Sequence, residues 1–220
     1  MPQLKTIKAT ALAILILVGL GVQDNGAKAD DKEVLTVAGG CFWCVESDFE
    51  RVNGVKEVIS GFTGGTVENP SYKQVVRGGT GHYEAVQIIF DPKKVTRDQI
   101  LTMYFRSVDP TDAGGQFCDR GDAYRTAIFP ASEEQRAAAE RAKTEAQSEL
   151  GQTIVTPILA ADTFYVAEEY HQDYYKGEKV ILTRFGPKTK ASAYKAYRKA
   201  CGRDQRVDAL WGDAAPFTGS

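Results

Sequence analysis

The pattern of apolar and polar positions marks out the elements of the chain. Glu33-Val34-Leu35-Thr36-Val37-Ala38 reads as a short buried strand, stopped by Gly39-Gly40. Cys41, Val45, Phe49 and Val52 then fall at helical spacing, which predicts a helix starting near Cys41 and ending at Asn53-Gly54. Val55 to Phe62 alternates as a strand. Past the turn at Gly64-Gly65, Asn69-Pro70 predicts the cap and first turn of a short helix. His82 to Phe90 is the clearest strand, closed by Asp91-Pro92.

Thr96 with Gln99 forms a capping box that opens a helix carrying Ile100, Met103, Tyr104 and Val108 on one face. Asp109 to Gly121 is a long Gly- and Asp-rich loop, a kind of segment that carries function more often than packing. Ala123 to Phe129 reads as a strand, Ser132 with Gln135 opens an Ala-rich charged helix to Leu150, and Ile154 to Ala160 reads as another strand. The remainder is Tyr-rich and predicted mostly helical. No repeat and no dividing linker interrupts this order, so the expectation is one compact α+β domain.

The first 29 residues are of another kind. Lys5 and Lys8 precede an uncharged run from Ala9 to Val22, followed by Ala27-Lys28-Ala29. A basic start, a short apolar core and small residues at an A-x-A site describe a cleavable secretory signal peptide. The run is shorter than the ~20 residues a spanning helix needs, which favours cleavage over a membrane anchor. The expected mature chain is residues 30–220, exported to a periplasmic or extracellular location.

Charge and cysteine content narrow the function. The chain has 27 Lys+Arg against 29 Asp+Glu. Removing Lys5, Lys8, Lys28 and Asp24 leaves 24 − 28 = −4, which excludes a generally basic nucleic-acid binder. A content of 43% hydrophobic and 25% charged residues excludes a disordered chain. Four Cys are too few for a disulfide scaffold and enough for redox chemistry. Cys118 and Cys201 stand alone rather than as a second pair, so no metal site is expected from the C-x-x-C of Cys41 and Cys44. His82 and His171 read as hydrogen-bonded structural residues.

Gly39-Gly40-Cys41-Phe42-Trp43-Cys44 places a thiol where a strand turns into a helix, facing free N–H groups and the positive end of the macrodipole. That setting favours a nucleophilic thiolate; the alternative is a buried structural Cys beside core aromatics. In Gly81-His82-Tyr83-Glu84-Ala85-Val86, Glu84 shares its strand face with Val86, Ile88 and Phe90. A carboxyl there is either paired or neutral near pH 7, and a neutral carboxyl is a general acid. The alternative is an edge residue reaching solvent. Asp119, in Gln116-Phe117-Cys118-Asp119-Arg120-Gly121, reads equally as a turn former and as a catalytic residue. Tyr72 alone reads as a packing residue.

Taken together, these segments resemble the A-type peptide methionine sulfoxide reductases, from Gly39 to about Tyr174. The resemblance rests on Gly40-Cys41-Phe42-Trp43, Pro70-Ser71-Tyr72, Gly81-His82-Tyr83-Glu84-Ala85-Val86, Asp119-Arg120-Gly121 with Tyr124-Arg125, and Glu169-Tyr170-His171-Gln172. It implies a ferredoxin-like two-layer α+β domain with an antiparallel-dominated mixed sheet flanked by helices. It also implies reduction of methionine-S-sulfoxide to methionine, in proteins and as the free amino acid. In this reading Cys41 is the nucleophile. Phe42 and Trp43 hold the substrate methyl, Glu84, Tyr72 and Tyr124 bind the sulfoxide oxygen, and Asp119 supports them. Cys44, Cys118 and Cys201, in that order, are candidates for resolving the sulfenic acid; for Cys118 and Cys201 the alternatives are two buried thiols or a structural disulfide in an oxidising compartment. The family's glycine-rich C-terminal tail is missing around Cys201. No bound cofactor is implied; a thioredoxin-like protein or dithiol would reduce a monomeric enzyme. Two other readings remain: a thiol–disulfide oxidoreductase built on Cys41 and Cys44, and a non-enzymatic module that captures methionine side chains.

Overall fold

The structure, a computed structural model, describes residues 32–184 and 186–219. The expected signal peptide lies outside the described residues. Among those described, no helix is long and apolar enough to cross a membrane.

Strand β1 (Glu33–Gly39) runs into α1 (Phe42–Phe49), followed by β2 (Val55–Thr63), α2 (Tyr72–Arg77), β3 (Tyr83–Phe90) and α3 (Arg97–Phe105). A tight hairpin, β4 (Gly115–Gln116) and β5 (Asp119–Arg120), precedes β6 (Thr126–Phe129) and α4 (Glu133–Leu150). Then come β7 (Tyr165–Val166), a hairpin of β8 (Val180–Thr183) and β9 (Gly186–Thr189), and helices α5 (Lys190–Cys201) and α6 (Arg203–Trp211). The main sheet has the order β6-β1-β3-β2-β7, with every pairing antiparallel. Counting β1, β2, β3 and β6 as four strands gives the order 4-1-3-2 with α1 and α3 as the two crossovers, the ferredoxin-like arrangement. Its parallel component is confined to isolated bridges such as Ile128–Ile158.

The core lies between the sheet and helices α1 and α3, where Leu35, Val37, Phe42, Val45, Phe49, Phe62, Val86, Ile88, Phe90, Ile100 and Leu101 are buried together. Tyr104 on α3 donates to the Ala38 carbonyl at 2.7 Å, tying that helix to β1. Ala138, Ala139, Ala142 and Ala146 form the buried stripe of α4, and such small side chains let helices approach closely. The other sheet face buries Ala38, Tyr83, Ala85, Ala127 and Phe129 beneath Leu159 and Phe164.

Four expectations need correction. The short helix is capped at Ser71, not at Asn69-Pro70, because Ser71 and Gln74 form a reciprocal capping box. Ala123 and Tyr124 belong to a 3₁₀ turn that precedes β6. Ile154 to Ala160 forms no strand, only one bridge beside β6. Pro157 in that run has no N–H to donate to a ladder. The C-terminal third, predicted mostly helical, holds β7, the β8–β9 hairpin and two 3₁₀ turns before α5.

Candidate active site

The site is built where β1 turns into α1. Gly40 adopts φ +80°, and a Cβ there would sit 2.6 Å from the Gln116 Cβ, so only glycine allows the turn to press against the 109–121 loop. Gln116 is itself fully buried and fixes that loop, accepting from the Asp109 N–H at 2.8 Å and donating to the Asp109 carbonyl at 2.8 Å. Cys41 is the N-cap of α1 and is buried. Phe42, the next residue, donates its backbone N–H to Glu84 Oε2 at 3.1 Å.

Glu84 sits on β3 between β1 and β2, 1% exposed, so the edge-of-strand alternative does not apply. Burial pushes its carboxyl up to about 8, against the Phe42 N–H and Tyr124, which favour the charged form. Its Oε1 has no hydrogen-bond partner among the described residues. The Tyr124 hydroxyl approaches the carboxyl and lowers its pKa without making a full hydrogen bond to Oε1. At neutral pH the group is therefore a neutral acid with one oxygen held by Phe42 N and the other left open.

A cavity of ≈ 100 Å³ is lined by Cys41, Phe42, Trp43, Tyr72, Glu84, Asp119, Tyr124 and Tyr197. It is far smaller than the roughly 300–1,000 Å³ of ordinary ligand pockets, and suits the end of one side chain. The cavity gathers every catalytic and substrate-binding candidate read from the sequence. Tyr72 and Tyr124 hydrogen-bond one another, and burial holds both phenols well above their usual range, so both remain donors. Tyr72 is placed by α2 and by its backbone N–H, which donates to Glu168 Oε1 at 3.1 Å. Asp119, raised by burial, accepts a hydrogen bond from the Tyr197 hydroxyl and lines the cavity directly. Trp43 stacks on Tyr174 with ring centroids 3.7 Å apart, and Phe42 stacks on Tyr72 at 6.2 Å.

The thiols differ from the expectation. The Cys41 side chain receives no capping hydrogen bond, since the first amide of α1 is directed to Glu84. Burial pushes the Cys41 thiol well up, and neighbouring Cys44, Glu84 and Asp119 add to the rise. In the resting site Cys41 is thus a thiol hydrogen-bonded to Cys44 rather than a thiolate held by the helix end. Cys118 and Cys201 are joined in a disulfide with Cα atoms 4.9 Å apart, so neither offers a free thiol for resolution in this state. Cys41 and Cys44 are the free pair.

Four contributors escaped the sequence reading. Tyr197 and Tyr174 arrive from the Tyr-rich C-terminal region, whose residue pattern does not separate pocket-lining rings from core ones. Gln116 looked like an ordinary loop residue. Glu46, buried in α1 and pushed up to about 7 by burial, accepts from Ser60 Oγ at 2.8 Å and from the Asp173 N–H at 2.6 Å. A carboxylate within the apolar run of α1 was its only signal. His82 is hydrogen-bonded as expected, to Gly65 N at 3.2 Å and Val67 O at 2.8 Å. His171 is not. Both its nitrogens lack hydrogen-bond partners among the described residues, and it packs among Phe42, Trp43, Tyr72 and Tyr170, with burial pushing it down to about 4.

A redox thiol beside a neutral carboxyl and two phenol donors, in an aromatic-walled cavity, defines a thiol-based reductase of a small oxygenated group. Residues 33–208 match the family described as peptide methionine sulfoxide reductase. The peptide methionine sulfoxide reductase MsrA 2 of Caulobacter vibrioides is 46% identical over 213 residues, 96% of this chain and 100% of that protein. The MsrA of Listeria monocytogenes serotype 4b (strain CLIP80459) is 47% identical over 181 residues, 81% and 96% of the two chains. Among solved structures, reduced Mxr1 from Saccharomyces cerevisiae superposes with a TM-score of 0.63 at 32% identity, covering 66% of this chain and 84% of that one. Methionine sulfoxide reductase A of Corynebacterium diphtheriae gives 0.58 at 30% identity, covering 67% and 75%. The chain belongs to the A-type peptide methionine sulfoxide reductases, and its activity is the reduction of methionine-S-sulfoxide to methionine.

Proposed function

We propose that Cys41 attacks the sulfoxide sulfur while Glu84 protonates the oxygen. Tyr72 and Tyr124 donate hydrogen bonds to that oxygen, and Phe42 and Trp43 enclose the methyl, where sulfur–aromatic contacts add to the fit. The hydroxyl then passes from the substrate sulfur to the Cys41 sulfur: the substrate S–O bond and the sulfur–sulfur bond made in the attack break, a Cys41 S–O bond forms, and methionine leaves a sulfenic acid on Cys41. The Cys41 thiol proton replaces the one Glu84 gives up, so the step is balanced without another reactant. The observation that carries this reading is the neutral Glu84 carboxyl, with an unpartnered oxygen, in the same cavity as Cys41. Protonation makes the sulfoxide sulfur electrophilic enough for a thiol that is not ionised at rest. Asp119, held by Tyr197, supports this wall of the cavity.

A thioredoxin-like protein or another dithiol returns the enzyme to its reduced form, with no bound cofactor. The chain works as a monomer on proteins or peptides bearing the S-sulfoxide, and on the free amino acid. The basic start, short apolar core and A-x-A site support cleavage of residues 1–29 and an exported enzyme, and the Cys118–Cys201 disulfide is compatible with an oxidising compartment. The test is a thiol-driven assay on the two sulfoxide epimers. Wild-type protein consumes the S epimer only and Cys41→Ser consumes neither; substantial turnover by that variant would remove Cys41 as the nucleophile.

A further inference from the structure

Behind the reacting thiol lies a buried charge cluster the reaction above does not use. Cys44 and Asp48 are one helical turn apart on α1, 2% and 0% exposed. Asp48 Oδ1 accepts from Arg198 Nη1 of α5 at 2.7 Å, while Asp48 Oδ2 stands 3.8 Å from Arg203 Nε of α6 without a hydrogen bond. The same Arg198 nitrogen lies 3.0 Å from the Tyr194 hydroxyl, and the Tyr194 ring packs on Cys41 and Cys44. Arg203 reaches across to Gly39 O at 3.1 Å, two residues before Cys41, and to Ser107 O at 2.8 Å, with the Phe117 ring 4.8 Å from its guanidinium.

Two buried guanidinium groups share one buried carboxylate, and another carboxylate, Asp204, is partly exposed and binds Arg198 alone. Arg203 is left with carbonyl oxygens, one Asp48 oxygen 3.8 Å away and the charge of half-buried Asp119. A buried charge in that condition favours any neighbour that can become an anion. Cys44 is that neighbour.

We propose that Arg198 and Arg203 are positioning residues that activate Cys44 as the thiol which closes the Cys41 sulfenic acid, with the Cys118–Cys201 disulfide clasping the α5–α6 junction that carries both arginines. Cys201 ends α5, three residues after Arg198 and two before Arg203, and Cys118 follows Phe117, whose ring faces Arg203. The groups facing Cys44 are Cys41 on its own turn, Asp48 on α1, Glu84 on β3, Tyr194, Tyr197 and Arg198 on α5, and Arg203 on α6. The Cys41 hydrogen bond and the two arginines together pull the Cys44 thiol down against its burial, with the Cys41 bond the largest cause. In the closing step Cys44 sulfur attacks Cys41 sulfur, the S–O bond breaks, and the hydroxyl leaves as water with the proton Cys44 released. The oxidising equivalents come from the sulfoxide already reduced.

This rests on the sulfenic acid at Cys41 proposed above, and one experiment separates the two. The full chain, its Cys118–Cys201 disulfide intact, receives one equivalent of methionine-S-sulfoxide without reductant; released methionine is counted and disulfides are mapped by mass spectrometry. One methionine per chain, a Cys41–Cys44 disulfide and an unchanged Cys118–Cys201 disulfide support the proposal. Methionine release with Cys41 bonded to Cys118 or Cys201, or left as sulfenic acid, overturns it while leaving Cys41 as nucleophile. No methionine release overturns the Cys41 reading itself. In the Cys41→Ser background, which removes the thiol bond, alkylation of Cys44 against pH should have its midpoint below the ordinary thiol value of about 8.5. Arg203→Gln should raise that midpoint by about one unit, slowing closure roughly tenfold at pH 7, and Arg203→Lys should restore most of it. If Arg203→Gln fails to fold, the Cys41→Ser chain alone decides: a Cys44 midpoint at or above about 8.5 overturns the proposal.

Discussion

The sheet side of the cavity and its C-terminal side are made in different ways. Cys41 and Phe42 stand at the start of α1, directly after β1, and Glu84 stands on β3 inside the antiparallel ladder that forms the core. Trp43 and Tyr72 face a second set of groups, His171, Tyr174 and Tyr197, supplied by 3₁₀ turns and α5, far along the chain. The first region supplies the atoms that react, held by backbone pairing. The second supplies their surroundings, held by a disulfide, the buried arginines and single hydrogen bonds such as Tyr197 to Asp119. Reactivity is thus placed where the fold is stiffest, and the environment where fewer interactions carry each residue.

That contrast can be broken from either side. Glu84→Gln on the sheet side should cut the first-turnover rate by roughly 10²–10⁴, the scale of general acid catalysis. The amide can still accept from Phe42 N, so the fold should survive. The folded carboxyl keeps its proton until about pH 8, whereas the unfolded chain releases it near 4.5, so wild-type stability falls as pH rises between those values. Relative to wild type, the variant should therefore melt higher at pH 8 than at pH 5. Wild-type turnover should fall as pH rises through about 8, and a rate flat to pH 10 would remove Glu84 as the acid.

On the C-terminal side, replacing both Cys118 and Cys201 by Ser should cost roughly 2–5 kcal/mol of stability, because the disulfide closes a long loop. First turnover should persist in the surviving folded fraction; denaturant unfolding and single-turnover assays report the two effects separately. Tyr197→Phe removes one hydrogen bond to a carboxylate and should reduce kcat/KM by about tenfold, equivalent to about 1.4 kcal/mol, the scale of a charge-assisted bond. A loss as large as that of Glu84→Gln would mean the two sides are not so different. The smallest effect belongs to a residue in neither region. Thr96→Ala at the α3 cap should cost about 1 kcal/mol by thermal melting and leave turnover unchanged.

Much of the sheet side was legible in the residues. The β1, β2 and β3 patterns, the Thr96 and Ser132 caps and the turn at Gly39-Gly40 are local signals, and local interactions produce them. Glu84 stood out because a carboxyl on the apolar face of a strand breaks its period. Less was legible where burial and long-range partners decide. Ile154 to Ala160 has a strand's composition but Pro157 leaves it with one bridge, and the region after Leu150 folds around rings contributed from elsewhere.

From its own pattern the chain determined the α+β order, the turn that exposes Cys41 to the cavity and the carboxyl that faces it, because each is encoded within a few consecutive residues. Tertiary structure alone decided the charge states and partnerships: a Cys41 that rests as a thiol, a neutral Glu84, a Cys118 bonded to Cys201, and arginines of α5 and α6 behind Cys44. Protonation depends on desolvation and on charges brought together across about 150 residues, as between Asp48 and Arg198, and no local pattern carries that distance.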